Sequence, residues 1–403
     1  MSRYLWLCFD GGGNVPPSTG IARELARRGH EVAFAGRRGM LDRVRRAGFR
    51  AIELRQAEAL HDAYAWHPRG AVLSYLSSPL VAEEALELAG TEQADAVVID
   101  SHLGGVLAVA DRFEVPTAVM LHTFFHRTLD GMRGLFRAQG EARARSGFGP
   151  LPGLDELWSM PEALHVNALA AFDGRPAGPD WPTLAHGGPV LETDSRTAAP
   201  ALPWPESDPT PLVVVGFSTE QNQRSAGKLQ RTLDGLAGLP VHVVATTAGL
   251  DPALIDAPAN AHVVAFAPHD RLMARASAVV THGGHGTAMR ALGRGLPLLL
   301  LVGRASDQPG VAALDQPHVA AAVTQLGAGI ALEPDAEPGA VREAVRALLE
   351  ERRYAAAAEA AARALAAVDG AGAAATRLTD LVAHPASGRR PTAGARPTAG
   401  ARP

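Results

Sequence analysis

Short apolar runs and helix-patterned stretches alternate through the first half of the chain. The runs YLWLCF (4–9), EVAFAG (31–36), AIEL (51–54), AVVID (96–100) and TAVMLH (117–122) have the length of strands and are apolar almost throughout. Strands covered on both faces read this way, because neither face meets water. Between most of them lie stretches at 18–28, 39–47, 82–89 and 104–112 with the apolar spacing of one helix face. The alternation predicts an α/β fold with a parallel, doubly wound sheet. The stretches 55–80 and 123–170 break the rhythm and hold many of the aromatic and histidine residues, among them Tyr64, Trp66, His67, His122, Phe124, Phe125, His126, Phe136 and Trp158. Long insertions of this kind are expected to be irregular binding loops.

A second series follows: PLVVVGF (211–217), VHVVATT (241–247), HVVAFA (262–267), AVVTHGG (278–284) and PLLLLV (297–302), again with helices between. The stretch before it, TDSRTAAPALPWPESDPTP (193–211), is rich in proline and small polar residues and reads as a linker. The predicted organisation is a Rossmann-like domain over 1–192, the linker over 193–211, a second Rossmann-like domain over 212–383, and a tail over 384–403. Residues 338–367 are Ala/Arg/Glu-rich and helical, whereas the tail repeats PTAGAR without an apolar face and is expected to be disordered. Two such sheets joined by one linker place a cleft between the carboxyl ends of their strands.

Composition narrows the function. A chain of 403 residues with 47% apolar residues has material for two full cores. The net charge of −4 gives no nucleic-acid footprint, and the arginines are scattered over helix faces. The only cysteine is Cys8, so an intrachain disulfide and a cysteine-based zinc site are both excluded. The first apolar run is too short for a signal-peptide core, and no segment approaches membrane-spanning length, so a soluble, cytoplasmic protein without a membrane partner is expected.

Two glycine-rich turns carry candidate chemistry. DGGGNVPPSTG (10–20) lies between the first strand and the first helix. AVVTHGGHGTAMRALGRG (278–295) runs from a buried strand through His282, Gly283, Gly284 and Gly286 into a helix that Thr287 helps to open. Free N–H groups and the dipole at a helix start favour a phosphate, glycines permit close backbone approach, and His282 and Thr287 add hydrogen-bonding side chains.

The run FAPHDRLMARASAVVTHGGHGTAMRALGRGLPLLLLV (266–302), followed by DQPHVAAAVTQLGAGI (315–330), closely resembles family 1 glycosyltransferases, above all the bacterial branch that decorates antibiotics and other natural products. GHEVAFAG, PEAL (161–164), FD (172–173) and GPVL (188–191) extend the resemblance over nearly the whole chain. It implies a GT-B fold, two Rossmann-like domains facing a cleft, with a nucleoside diphosphate sugar on the C-terminal domain and a small-molecule aglycone on the N-terminal one. It also implies transfer with inversion and without a metal or other cofactor. By the same resemblance His282, Gly283, Gly284, Gly286 and Thr287 hold the diphosphate, Ser218 and Thr219 touch it from a second turn, and Phe266 and Ala267 pack on the base. Core packing is the competing reading for Phe266. The family's sugar-binding Asp/Gln pair has two copies here, Asp307-Gln308 and Asp315-Gln316; the helix that follows favours Asp315 and Gln316. Thymidine diphosphate is the donor nucleotide the branch implies.

Attack by a hydroxyl on an anomeric carbon needs a proton acceptor. The resemblance implies a histidine in the first glycine turn, but Asn14 stands there, and an amide takes no proton. Asp100, at the position of the family's partner aspartate, His102 and Asp10 are the candidates for this work, while helix capping and loop satisfaction are the ordinary alternative for the first two. Asn14, Trp66, Phe124, Phe125 and Trp158 are candidates for acceptor contact, against ordinary packing. Three further readings stay open: C-glycosylation of a phenolic ring, a catalytically silent nucleotide-sugar-binding partner of another transferase, and another GT-B enzyme such as a cell-wall transferase or epimerase. A homodimer is also open.

Overall fold

The structure is a computed structural model that describes residues 1–11, 13–66, 68–129, 131, 140, 143–144, 147, 153–174, 181–191, 201–217, 225–303 and 315–385. Among these residues, seven strands form the first sheet: β1 (Arg3–Leu7), β2 (Glu31–Gly36), β3 (Arg50–Glu53), β4 (Ala96–Asp100), β5 (Thr117–Leu121), β6 (Ala163–Val166) and β7 (Leu184–His186). All pairs are parallel, in the order β3-β2-β1-β4-β5-β6-β7. β4 and β5 are buried at every residue, as their unbroken apolar sequences require.

The helices of this half are α1 (Val15–Arg27), α2 (Arg38–Arg46), α3 (Arg55–Ala63), α4 (Pro68–Leu76), α5 (Pro79–Thr91), α6 (Gly104–Leu107), α7 (Leu154–Ser159) and α8 (Ala170–Asp173). α1 starts with two prolines in its first turn, where a missing N–H costs nothing, and buries Ile21, Ala22 and Leu25 on one stripe. The stretch 55–80 is not an irregular loop. It forms α3, α4 and the start of α5, because Leu54, Ala57, Tyr75 and Leu76 pack into the core on a common side. The region 123–170 likewise contributes α7 and β6, whose short sequence ALHV is fully buried.

The second half begins with β8 (Leu212–Gly216) and α9 (Ala226–Leu236), then β9 (His242–Thr246), β10 (Ala261–Val264), α10 (His269–Met273), β11 (Ala278–Thr281) and α11 (His285–Gly293). It continues with β12 (Leu298–Leu301), α12 (Gln316–Gln325) and β13 (Gly329–Leu332). These six strands are parallel in the order β10-β9-β8-β11-β12-β13. In each sheet the strand order reverses beside the first strand of that half, at β1/β4 and at β8/β11. Ligand crevices of open α/β sheets form at such points, outside the carboxyl ends of the strands.

Three helices close the chain: α13 (Pro338–Glu350), α14 (Arg352–Ala366) and α15 (Gly370–Ala383). α15 leaves the second sheet and packs on the first. Ala374, Ala375, Leu378 and Leu381 join Tyr4, Trp6, Ile21 and Leu25 in one apolar cluster. The Tyr4 hydroxyl donates to the Leu378 carbonyl at 3.2 Å, and Arg28 donates to Thr376 and to the Gly372 carbonyl. Gly370 permits the approach, since a side chain there would meet the Gly188 and Pro189 carbonyls at 2.6 Å. The last helix of the segment 212–383 thus straps the first sheet. Of the sequence-level linker, residues 193–200 lie outside the described residues, as do residues 386–403 of the tail.

Leu378 is completely buried in this strap. Leu378→Ala is expected to cost about 2–5 kcal/mol of stability in urea unfolding. A loss below about 0.5 kcal/mol, the level of an ordinary surface change, would show that the strap is not part of the cooperative core.

Candidate active site

The carboxyl end of β4 delivers Asp100 to the switch point, and its side chain is fully buried. Four groups converge on it. The Asn14 amide donates to Oδ2 at 2.7 Å. The His102 ring meets Oδ1 through Nδ1 at 3.0 Å, and the His102 backbone N–H donates to the same oxygen at 3.0 Å. His122, just past β5, places Nε2 3.6 Å from Oδ2. Asn14 occupies the N-cap position of α1, yet its side chain makes no capping bond there. An N-cap asparagine ordinarily satisfies its own helix; this one is turned to Asp100 instead.

Behind this group, Ser18 Oγ donates to the Asn14 carbonyl at 2.8 Å and lies 3.1 Å from His122 Nε2. The Asn167 amide nitrogen lies 2.8 Å from His122 Nδ1. Phe9 stacks on the His102 ring with centroids 5.0 Å apart. Burial alone would raise the Asp100 pKa, but the His102 hydrogen bond, the charges of His102 and His122 and the Asn14 amide outweigh it and hold the carboxyl below its ordinary value. Burial lowers the His102 pKa, but the hydrogen bond and charge of Asp100, with a contribution from Asp315, carry it above the ordinary histidine value. At His122 burial wins, and the pKa falls. One carboxylate therefore sets two histidines apart. With Nδ1 turned to Asp100, His102 has Nε2 left for other chemistry.

Asp10 does not join this group. Its Oδ1 accepts from Arg43 at 2.7 Å, and Gly39 leaves room for the carboxylate against α2. The acceptor candidates separate in the same way. Phe124, Phe125 and Trp158 are core rings: Phe125 meets Trp158 edge-on at 5.3 Å and Trp181 at 5.0 Å, and all three candidates are at most 1% exposed. They offer no face to a ligand, because the irregular loop expected around them is packed structure. Trp66 is 79% exposed, and Asn14 is held in the Asp100 cluster.

On the opposite side of the cleft, β11 ends at Thr281 and the chain turns through His282, Gly283 and Gly284 into α11. Gly283 has φ +84°, and a Cβ there would meet Val302 Cγ2 at 2.6 Å, so glycine is required twice over. Gly284 is the N-cap and supplies no side-chain cap to the first turn, where the His285 backbone N–H serves the Asp315 carboxylate and Gly286 and Thr287 follow. Burial, then the charges of Lys228 and His269, push His282 down to about 3, so it is a neutral hydrogen-bonding group at physiological pH. Lys228 stands over the Phe217 ring at 5.5 Å and is held below the ordinary lysine value by burial. No sequence motif singles it out; only the fold brings α9 beside the glycine turn.

Ala267 is buried, whereas Phe266 is 67% exposed, so core packing does not describe that ring. Asp315 is the residue before α12, and Gln316 is buried at its first position. Burial raises the Asp315 pKa to about 6 against the charge of His102 and the backbone N–H groups of His285 and Gln316. Asp315 thus belongs to the same electrostatic centre as the Asp100 cluster. Ser218, Thr219 and the Asp307-Gln308 pair lie outside the described residues. The two halves also touch directly. His285 meets Phe124 edge-on at 5.1 Å, and Arg127 donates to Gln325 at 2.7 Å.

This geometry has counterparts. Residues 230–381 match the model of the erythromycin biosynthesis protein CIII-like C-terminal domain. The 4'-demethylrebeccamycin synthase of Lentzea aerocolonigenes is 27% identical over 404 residues, covering 88% of this chain and 93% of that protein. The calicheamicin glycosyltransferase CalG4 superposes with a TM-score of 0.74 at 22% identity, over 95% of this chain and 98% of its own. The glycosyltransferase VinC, solved in complex with dTDP, superposes with a TM-score of 0.69 at 21% identity, over 94% and 99%. The chain has the GT-B fold of these glycosyltransferases. In this fold the carboxylate-linked histidine and the helix after the glycine turn belong to opposite halves of the chain and are coupled through Asp315.

In a proton-resonance titration of the histidine rings, His102 is expected to titrate above about 6.5 and His122 below it. Asp100→Asn removes the charge and should bring the His102 midpoint down. Identical midpoints for His102 in the two proteins would disprove the electrostatic account.

Proposed function

We propose that the chain moves a sugar, a deoxyhexose carried on thymidine diphosphate, to an aromatic or polyketide-type natural-product aglycone with inversion at the anomeric carbon. The natural-product class is supported by the match to an erythromycin biosynthesis domain and by the rebeccamycin relative. The nucleotide is supported by the dTDP complex of VinC. The observation that carries the catalytic reading is the pairing of His102 with the buried Asp100 carboxylate at 3.0 Å.

In this mechanism Asp100 holds Nδ1–H of His102, and the lone pair on Nε2 accepts the proton of the acceptor hydroxyl as its oxygen attacks the anomeric carbon. The bond from that carbon to the diphosphate oxygen breaks, and the leaving group carries the negative charge away. Gly283, Gly284, Gly286 and Thr287 receive the diphosphate on backbone N–H groups and a hydroxyl, with His282 donating as a neutral ring. Lys228 adds positive charge on the same side. Asp315 and Gln316 bind sugar hydroxyls, and Phe266 offers its exposed ring to the base. Asn14, whose position the family resemblance assigns to the base, instead orients Asp100. The base has in effect moved from the start of α1 to the loop after β4, while keeping its aspartate.

The silent-partner reading drew on Asn14 and on the irregular Asp/Gln region; His102 supplies what Asn14 lacks. Calorimetric titration with thymidine diphosphate and uridine diphosphate tests the donor half. Wild type should bind the first more tightly, and His282→Ala should weaken binding about 10- to 150-fold, the size of one hydrogen bond to a charged group. No binding of either nucleotide would overturn the assignment. For the chemical half, His102→Ala should lower kcat about 10²- to 10⁴-fold, with nucleotide affinity nearly unchanged. Unaltered turnover in that variant would remove His102 from the mechanism.

A further inference from the structure

We propose that His126, Asp173 and His186 form a binding site for a zinc-type divalent transition-metal ion that braces the joint between the two domains. Each residue offers one ligand atom, and the three atoms lie within 4.8 Å of one another. They come from three separate places: the loop after β5, the end of α8 and the end of β7. Asp173 is fully buried, the His186 side chain is 13% exposed, and His126 is half-buried, so the group is enclosed but reachable. The His126 and His186 rings lie 5.7 Å apart between centroids.

The chemistry of the set selects the ion. Two imidazoles and one carboxylate suit zinc and its neighbours, whereas calcium and magnesium prefer oxygen alone. Three protein ligands leave a fourth position for water. Asp173 Oδ2 and His186 Nε2 now share a hydrogen bond of 2.7 Å. With metal–ligand bonds of about 2 Å, a tetrahedral site needs ligands about 3.3 Å apart, so this pair must open by roughly 0.6 Å. The carboxylate is already oriented for the task. Its oxygens accept the backbone N–H groups of Phe125 at 3.1 Å and Arg127 at 3.3 Å, the kind of outer hydrogen bonding that fixes metal ligands.

Its placement suggests what the ion does. Arg127, next to His126, donates to the Phe172 carbonyl beside Asp173 and to Gln325 across the domain joint. An ion on His126, Asp173 and His186 ties the loop after β5 to α8 and β7, and so stiffens the segment that carries the cross-domain bond. This role is separate from the sugar-transfer chemistry at Asp100 and His102.

Among the described residues a second cluster of similar type, Glu58, His61 and Asp62, is a poorer cation site. Glu58 already accepts from the Arg37 guanidinium and the Arg38 backbone. It therefore serves as the control. The full chain, freed of metal with a chelator, is titrated with Co²⁺ while visible absorption is recorded, and with Zn²⁺ by calorimetry. Wild type should take up one equivalent, with the visible bands of four-coordinate Co²⁺, and its Tm should rise with Zn²⁺ concentration. His126→Ala and His186→Ala, each checked for folding by circular dichroism, should lose the bands and the Tm shift, whereas His61→Ala should keep both. If one of the two ligand variants does not fold, the other decides. No saturable uptake by wild type, uptake unchanged in a folded ligand variant, or loss only in His61→Ala would overturn the proposal.

Discussion

A single buried charge organises the N-terminal side of the candidate site. An ionised carboxylate removed from water costs several kcal/mol unless hydrogen bonds and opposite charge replace its hydration. Asp100 is completely buried, and its partners come from three different loops at the carboxyl ends of β1, β4 and β5. Asn14 forgoes the capping role of its position to reach it. Ser18 and Asn167 hold His122 from behind. The charge thus does two things at once: it ties adjacent strand ends together at the switch point, and it engages Nδ1 of His102, leaving Nε2 outside the pair.

The opposite wall is built on a different principle. Around His282 burial and neighbouring cations favour the neutral ring, and the glycine turn brings no side-chain cap to the helix it opens. A site of that kind, with the Lys228 charge beside it, suits an anion that arrives and leaves. The two walls are held in register by packing and by a hydrogen bond across the joint. α15 straps the first sheet, His285 lies against Phe124, and Arg127 reaches Gln325. Asp315 adds a link by charge, a carboxyl of the second domain that feels the charge of His102 in the first.

Much of this was legible in the sequence. Unbroken apolar runs identified the central strands, because strands buried on both faces leave no polar alternation to misread. The HGGHGT turn announced its own geometry, since Gly283 at φ +84° has no alternative residue. The aspartate ending AVVID and the histidine two residues on were candidates from position alone, and the fold brings them to 3.0 Å. Other features were hidden for physical reasons. Helices α3 and α4 read as loop in the sequence because aromatic and histidine residues interrupt their apolar stripe. Phe124, Phe125 and Trp158 were expected at the acceptor, yet a ring in a loop and a ring in a core carry the same letter until burial is known. Asp10 shares its strand-end position with Asp100 and differs only in having Arg43 beside it. His122, Asn167 and Lys228 act through contacts between residues distant in sequence, and no local spacing marks them.

The central claim is that the catalytic histidine has changed its place in the chain while keeping its aspartate. The most direct measurement is the turnover of three variants with one donor and one acceptor: His102→Asn, Asn14→His, and the two combined. The account predicts that His102→Asn loses about 10²-fold or more in kcat and that adding Asn14→His recovers a substantial part of the loss. Full turnover by His102→Asn would contradict it, because the proton would then be leaving by a route that does not involve the Asp100–His102 pair.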